Sequence, residues 1–315
     1  MSMIAIRDAY GDALAELGAK NDKVIVLEAD VGSSSKSITF GKAFPARYYN
    51  VGISELNMNA MAAGFASCGL IPFTNTFSVF MTLRGGDPIN SMIAYDKLNV
   101  KLAGTYCGLS DSYDGASHHS TGDIALLRAI PNITIISVCD AVETKKAVFA
   151  AAEHNGPVYL RLSRAAAPVI FDDNYNFKIG KGVVLKEGAD ITLLSTGQIL
   201  HECLKASEIL KESGISARVV NIHTIKPLDE DIVLQSARET GAILTVEEHS
   251  EFGGLGSAVA EVCAKNYPVP MEILGVTEFS QSGDYYELLE KHGLTSRQIA
   301  EKAKILHRKK EKLNA

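Results

Sequence analysis

The sequence lacks most features of a secreted, membrane-bound or nucleic-acid-binding protein. Its five cysteines are widely spaced and include no Cys-x-x-Cys pair, so we expect neither a disulfide framework nor a zinc site. No segment approaches the roughly 20 apolar residues of a membrane-spanning helix, and the N-terminal segment has no long apolar run. The net charge of −6 opposes nonspecific binding to nucleic acid or to an anionic membrane. We therefore expect a protein of the reducing cytoplasm that binds neither.

Generic nucleotide and metal motifs are also missing. The segment GGLGSAV has Val259 where a dinucleotide-binding fingerprint needs its third Gly or Ala, and Gly41-Lys42-Ala43 lacks the hydroxyl group of a P-loop. The sequence has no His-Glu-x-x-His motif and no His/Cys cluster, so we expect no metal site held by this chain alone.

The chain does have a regular alternation of strand-like and helix-like segments. VIVLEAD, ITIISV and PVYLRL are short, rich in β-branched residues and largely apolar, which is typical of parallel strands buried on both faces. A length of 315 residues with 46% hydrophobic content favours two domains. The alternation of strand-like and helix-like segments is interrupted in AAAPVIFDDNYNFKIGKG, which is therefore predicted to be a connector. We predict an α/β fold with one domain at 1–165, a connector at 166–184 and a smaller α/β domain at 185–315.

Eight segments, from near Arg7 to the end of the chain, form a specific series. They are EADVGSSS, YYNVGISELNMNAMAAGFASCGLIPF, TFSVF, LNVK, YDGASHHSTGDIALLRAIPN, GPVYLRLSR, IKPLD and EEHSEFGGLGSAVAE. Their order and spacing resemble the C-terminal portion of transketolases. The resemblance implies that the first domain is a parallel-sheet domain binding the pyrimidine of thiamine diphosphate, and that the second is a transketolase C-terminal domain.

The resemblance implies cofactor-binding roles for three residues. Glu55 matches the catalytic glutamate, whose carboxyl group hydrogen-bonds the pyrimidine ring and favours the imino tautomer that deprotonates the thiazolium carbon. Phe80, and less closely Phe77, match an aromatic segment that stacks on the pyrimidine. The alternatives are a helix-N-terminal Glu stabilised by the helix dipole and ordinary core packing of the two rings.

The resemblance also implies a sugar site. Asp114 and His118 match an Asp that contacts a sugar hydroxyl and a His that contacts the reacting ketose. An imidazole exchanges a proton with a hydroxyl near neutral pH, so His118 is a second catalytic candidate. Arg7, Ser34 and Arg164 match positions that gather the phosphate of the sugar, and guanidinium groups suit tetrahedral oxyanions. Taken alone, these residues would be a turn Asp, a loop His and surface ion pairs.

Three positions depart from the family pattern. Tyr106 stands where many transketolases have a phosphate-contacting His, Gly86 replaces an aromatic residue, and His119 follows His118 where Gln is usual. We expect Tyr106 to supply a neutral hydroxyl donor to the anion site. The substrate is therefore a sugar phosphate or another anionic sugar, and a sulfonated or branched sugar is an open alternative.

The Gly-Asp-Gly and later Asn with which family members hold Mg²⁺ and the diphosphate are absent. In single-chain transketolases that element belongs to an N-terminal domain, and this sequence begins just after it. The resemblance thus implies a split enzyme, in which an N-terminal partner subunit holds Mg²⁺ and the diphosphate of thiamine diphosphate. It further suggests an α2β2 heterotetramer with its sites at the interface.

The expected activity is transfer of a two-carbon ketol unit from a ketose to an aldose. A β subunit of a 2-oxoacid dehydrogenase shares the two-domain, split organisation and is the main alternative, although the YDGASHH loop favours a transketolase. A synthase of deoxyxylulose phosphate is a weaker alternative because that enzyme is normally one long chain. A non-catalytic partner subunit is the remaining one.

Overall fold

The structure, a computed structural model, describes residues 2–314, without the side chain of Asn314. Residues 1 and 315, the outer ends of the two predicted domains, lie outside the described residues. The strands are β1 (Met3–Ala5), β2 (Val24–Glu28), β3 (Tyr48–Asn50), β4 (Ile71–Phe77), β5 (Lys101–Thr105), β6 (Thr134–Ser137), β7 (Val158–Leu162), β8 (Ala166–Pro168), β9 (Val183–Lys186), β10 (Ile191–Ser195), β11 (Ala217–Asn221), β12 (Thr224–Lys226), β13 (Ile243–Ser250) and β14 (Met271–Val276). The helices are α1 (Ile6–Lys20), α2 (Gly32–Ser35), α3 (Ile38–Ala43), α4 (Glu55–Ser67), α5 (Ser78–Leu83), α6 (Gly86–Pro88), α7 (Asp123–Arg128), α8 (Ala141–Glu153), α9 (Leu200–Glu212), α10 (Glu230–Thr240), α11 (Leu255–Asn266), α12 (Tyr285–Lys291) and α13 (Ser296–Asn314). Of the helices in this range, none has the length and apolar character to cross a membrane.

Seven strands form the first sheet, in the order β12-β6-β7-β5-β4-β2-β3. Every pairing in it is parallel except that of β12 with β6. Successive residues of β2 face opposite layers: Val24 and Val26 pack in the cluster that contains α1 and α8, whereas Ile25 and Leu27 pack with α4. Because helices cover both faces, all of β2 is buried, as its apolar sequence predicted.

Five strands form the second sheet, in the order β14-β13-β10-β11-β9, and β9 is its antiparallel member. Leu193 packs in one apolar layer with α9 and α13, while Leu194 packs in the other with α10 and α11. The prediction of an α/β fold, in which a parallel-sheet domain is followed by a second α/β domain, is therefore confirmed.

Two short pairings bear on the predicted division of the chain, which itself stays a prediction. Strand β8 lies in the predicted connector and pairs antiparallel with β1, so that segment is not entirely irregular. Strand β12, from the predicted second domain, extends the edge of the first sheet, with Thr224 opposite Ile136. The two halves of the chain are therefore joined by backbone pairing as well as by side-chain packing.

Candidate active site

The predicted site residues other than Arg7, which lies in α1, are at or after the carboxyl ends of strands in the first sheet. Ser34 follows β2, Glu55 follows β3, Phe77 ends β4, Tyr106 follows β5 and Arg164 follows β7. The carboxyl ends of parallel strands lie along one edge of a sheet, which is where open α/β sheets bind ligands. Side chains from distant parts of the sequence therefore meet at this edge.

Glu55 is the first residue of α4, and its side chain is buried beside exposed apolar neighbours. It is 4% exposed, whereas the adjacent Ile53 and Leu56 are 72% and 52% exposed. Its carboxylate accepts a hydrogen bond from Arg84 Nη1 at 3.3 Å. A buried carboxylate needs such a donor, because an unpaired charge out of water is costly.

An aromatic cluster lies next to Glu55. The ring centroids of Phe77 and Phe80 are 6.0 Å apart. The ring of His118 meets both edge-on, with centroids 6.1 Å from Phe77 and 5.1 Å from Phe80. The guanidinium carbon of Arg84 lies 3.8 Å from the Phe80 centroid. Arg84 thus bridges the Glu55 carboxylate and the Phe80 ring.

Tyr106 connects the aromatic cluster to two arginines. Its ring centroid lies 4.4 Å from that of Phe77, and the guanidinium carbons of Arg7 and Arg164 lie 5.3 and 5.2 Å from it. Arg7 Nη1 donates to the Tyr106 hydroxyl and, at 3.2 Å, to the carbonyl of Ser34. Ser34 therefore meets Arg7 through its main chain. Two positive charges beside one tyrosine form an environment suited to an anion.

The β5–α7 loop (residues 106–122) carries two neighbouring carboxyl groups, those of Asp111 and Asp114, and Arg164 contacts the first. Arg164 Nη1 donates to the carbonyl of Asp111 at 2.9 Å and to its carboxylate at 3.4 Å. Burial, together with the hydrogen bond and charge of Asp114, raises the pKa of Asp111 to about 8, against the opposing charges of Arg164 and Arg7. Asp114 is the exposed member of the pair and is accessible to a ligand.

The two consecutive histidines of this loop have different surroundings. His118 is half-buried, contacts the aromatic cluster, and has Nδ1 3.0 Å from Ser117 Oγ. His119 is buried, with Nε2 3.2 Å from the Ser112 carbonyl, and burial lowers the pKa of its imidazole. His119 thus holds the loop together, whereas His118 faces the site.

Arg84 and Asp111 were not among the predicted site residues. A weak signal exists for each: Arg84 is four residues after Phe80, which places the two on one side of a helical turn, and Asp111 precedes Asp114 by three. Neither spacing identifies a partner. Only the folded chain shows that Arg84 reaches Glu55, which is remote in sequence.

The site offers two kinds of ligand contact. Glu55 and Phe80 present a carboxylate and an aromatic face, which suit a planar heterocycle with N–H donors. Arg7, Arg164 and Tyr106 suit an anion. Within residues 2–314, no group of three His, Cys, Asp or Glu side chains is arranged to hold a metal ion.

Family models match both halves of the chain. Residues 2–169 match the model described as transketolase, pyrimidine binding domain, and residues 180–299 match transketolase, C-terminal domain. The chain belongs to the transketolase family, whose members are thiamine-diphosphate-dependent transferases. The family predicted from the sequence is therefore confirmed.

Individual relatives agree with this assignment. The chain is 41% identical over 299 residues to the 6-deoxy-6-sulfo-D-fructose transketolase subunit SqwH of Clostridium sp. (strain MSTE9), covering 95% of this chain and 93% of that protein. It is 40% identical over 302 residues to the Homo sapiens transketolase, covering 95% of this chain but 48% of that protein. It superposes on a solved structure described as a split gene transketolase, inactive β4 tetramer, with a TM-score of 0.90 and 45% identity, covering 96% of this chain and 99% of that one. The chain thus spans about half the length of the human enzyme.

Proposed function

We propose that this chain is the pyrimidine-binding and C-terminal subunit of a two-chain transketolase, which transfers a two-carbon ketol unit from an anionic ketose to an aldose. The observation that carries the proposal is one unbroken series of contacts. It runs from Glu55 through Arg84 to Phe80, and from there through the other rings of the cluster to Arg7 and Arg164. This placement of one buried carboxylate and two arginines along one edge of one sheet supports a cofactor-activating role for the carboxylate and an anion-binding role for the arginines.

The residues present fit the pyrimidine of thiamine diphosphate. The planar guanidinium of Arg84 already lies against Phe80 while donating an N–H to Glu55, and an aminopyrimidine needs the same two partners. When bound, thiamine diphosphate supplies the carbon nucleophile for ketol transfer. In this proposal Glu55 holds a proton at the pyrimidine, and Phe80, with Phe77 beside it, fixes the plane of the ring.

The remaining residues recognise the sugar. His118 exchanges a proton with a substrate hydroxyl, and Asp114 accepts a hydrogen bond from another. Arg7, Arg164 and Tyr106 bind the anionic end, with Ser34 holding Arg7 through its carbonyl. Phosphate and sulfonate are both tetrahedral oxyanions, and the sulfosugar named for the Clostridium relative supports testing both.

The partner subunit would cover the exposed apolar residues around Glu55. Leu83, next to Arg84, is 68% exposed. Tyr95, which directly follows the helical turn Ile89–Ala94 packed on α4, is 78% exposed, in addition to Ile53 and Leu56. Exposed apolar residues of this density mark interaction surfaces. We propose an N-terminal subunit there, bearing Mg²⁺ and the diphosphate site, in an α2β2 assembly; the names of relatives as subunits and split-gene products support this.

Glu55→Gln provides the test of the proposed function. In a co-expressed two-chain complex supplied with thiamine diphosphate, Mg²⁺, an aldose acceptor and either a ketose phosphate or 6-deoxy-6-sulfo-D-fructose, we expect two-carbon transfer to fall by about 10²-fold or more, as for removal of a general acid or base. Co-purification of the two chains should be unchanged, because the variant keeps the size of the side chain.

Two results would contradict the proposal. Oxidative decarboxylation of a 2-oxoacid by a wild-type complex that gives no two-carbon transfer product would favour the dehydrogenase alternative. Equal turnover by the wild type and the Glu55→Gln complex would instead favour a non-catalytic subunit.

A further inference from the structure

The β5–α7 loop belongs by sequence to the first sheet, yet both of its ends are attached to the second. This loop carries Asp111, Asp114 and His118, with Tyr106 at its start. Its two ends pair with each other through Gly108 and Ser120, whose amides and carbonyls exchange hydrogen bonds at 3.0 and 3.1 Å. The contacts that hold Gly108 and Ser120 in place therefore set the position of the loop.

The first end of the loop is attached to Glu248 of β13. The amide of Leu109 donates to Glu248 Oε2 at 3.3 Å, and the Leu109 side chain is buried in the apolar layer formed by α9, α13 and the second sheet. Gly108 has a φ of 62°, and a Cβ there would lie 2.8 Å from both Cβ and Oε2 of Glu248. Only glycine allows this approach without displacing the loop or the carboxylate.

The other end is attached to the same strand. The carbonyl of Thr121 accepts a hydrogen bond from the amide of Ser250 at 2.7 Å. Arg161 Nη2 donates to the carbonyls of Ser120 at 3.1 Å and Glu248 at 2.9 Å, so one buried guanidinium joins the loop to β13.

Glu248 is itself held firmly. Its side chain is buried, and Oε1 accepts a hydrogen bond from the Tyr285 hydroxyl of α12 at 2.5 Å, while Oε2 receives the Leu109 amide. A carboxylate with both oxygens engaged in a low-dielectric setting has one preferred orientation. Tyr285 thus fixes the carboxylate, and the carboxylate fixes the loop.

We propose that Glu248 is a positioning residue for sugar binding: with Tyr285 it fixes the β5–α7 loop, so the C-terminal half of the chain sets the geometry of Asp114 and His118. The role in sugar binding rests on the proposed function, whereas the anchoring of the loop does not. A loop displacement of about 1 Å is enough to lower the rate up to about 10²-fold.

Glu248→Gln and Tyr285→Phe test the proposal, with Glu247→Gln as the matched control. Glu247 is the preceding residue of β13 and is also buried, but it accepts hydrogen bonds from the amides of Leu255 and Gly256 at the start of α11. Hydrogen exchange of the purified chain should accelerate about tenfold at Leu109 and Ser120 in both test variants, as for loss of one charge-assisted hydrogen bond, but not in the control. In the two-chain complex, kcat/KM for the ketose should fall about tenfold, mainly through KM, with unchanged affinity for thiamine diphosphate.

The outcomes separate the two proposals. If the variants accelerate hydrogen exchange in the loop but the wild-type complex transfers no ketol unit, the proposed function is refuted and the anchoring of the loop still holds. Unchanged exchange and unchanged KM in Tyr285→Phe, or equal effects of Glu247→Gln and Glu248→Gln, would overturn the positioning role. If Glu248→Gln does not fold, the measurements on Tyr285→Phe decide whether Glu248 and Tyr285 position the loop.

Discussion

The surroundings of Asp111 in the site raise the pKa of its carboxyl group. It lies in the β5–α7 loop beside Arg164 and Asp114, and Arg164 Nη1 reaches its carboxylate at 3.4 Å. Burial and the adjacent carboxyl group favour the protonated form, and the nearby arginines only partly offset this.

Asp111→Asn should change the pH dependence of stability. The pKa of Asp111 is about 8 in the folded chain, compared with about 4 in an unfolded one. Between these values the folded state holds a proton that the unfolded state has lost, so this group's contribution to the free energy of unfolding falls as the pH rises towards 8 and then levels off. Asn cannot ionise, so its chain should lack this fall.

Urea denaturation of both chains between pH 5 and 9 measures the difference. Stability of the wild type should decline relative to that of Asp111→Asn over this interval. Parallel curves would show that the carboxyl of Asp111 is ionised in the folded chain throughout.

At the scale of elements, predictability follows the length and burial of each segment. VIVLEAD predicted β2 because a strand covered on both faces must be apolar at successive positions. Strands β1, β8 and β12 have three residues each, which is too short to show a hydrophobic alternation. They form because tertiary packing places a strand beside each of them. The same limit applies to the site. The resemblance indicated Phe80 and His118 individually, but the stacking of Arg84 on Phe80 depends on the fold.

Helix α8 illustrates an element held by one residue that also fixes a neighbouring segment. Asp140 caps it by accepting the amide of Glu143 at 2.8 Å through Oδ1. Its Oδ2 accepts the amides of Ile170 and Phe171 at 2.7 and 2.8 Å. The cap therefore also holds the segment that follows β8.

Asp140→Ala should be far more destabilising than an ordinary lost cap. Removing an N-cap costs about 1 kcal/mol, and leaving two further amides without an acceptor adds roughly 1–3 kcal/mol. Asp284→Ala is the control, because Asp284 caps α12 through the amide of Tyr286 alone. Urea unfolding of the two variants should give a clearly larger loss for Asp140→Ala; similar losses would mean that the contacts to Ile170 and Phe171 contribute nothing.

At the scale of the whole molecule, the proposed catalytic groups and the proposed partner surface occupy the same edge of the first sheet. Glu55 is buried while its neighbours Ile53, Leu56 and Leu83 are exposed. Covering those apolar groups would also exclude water from the carboxylate, which strengthens its electrostatic interactions. Under the proposed function, association and catalysis are then linked through one surface, and Glu55 acts only when the partner subunit covers it.

Leu56→Asp tests that link. Its control is Ile305→Asp, a matched change on α13, which packs on the second sheet. The two residues are 52% and 54% exposed, so neither substitution disturbs a core. An aspartate at position 56 would bury a charge in the proposed interface, which costs several kcal/mol, and should abolish co-purification of the two chains and with it ketol transfer. Ile305→Asp should affect neither. Sedimentation velocity of the mixed chains measures the association directly, and equal association by both variants would place the partner on another face of the molecule.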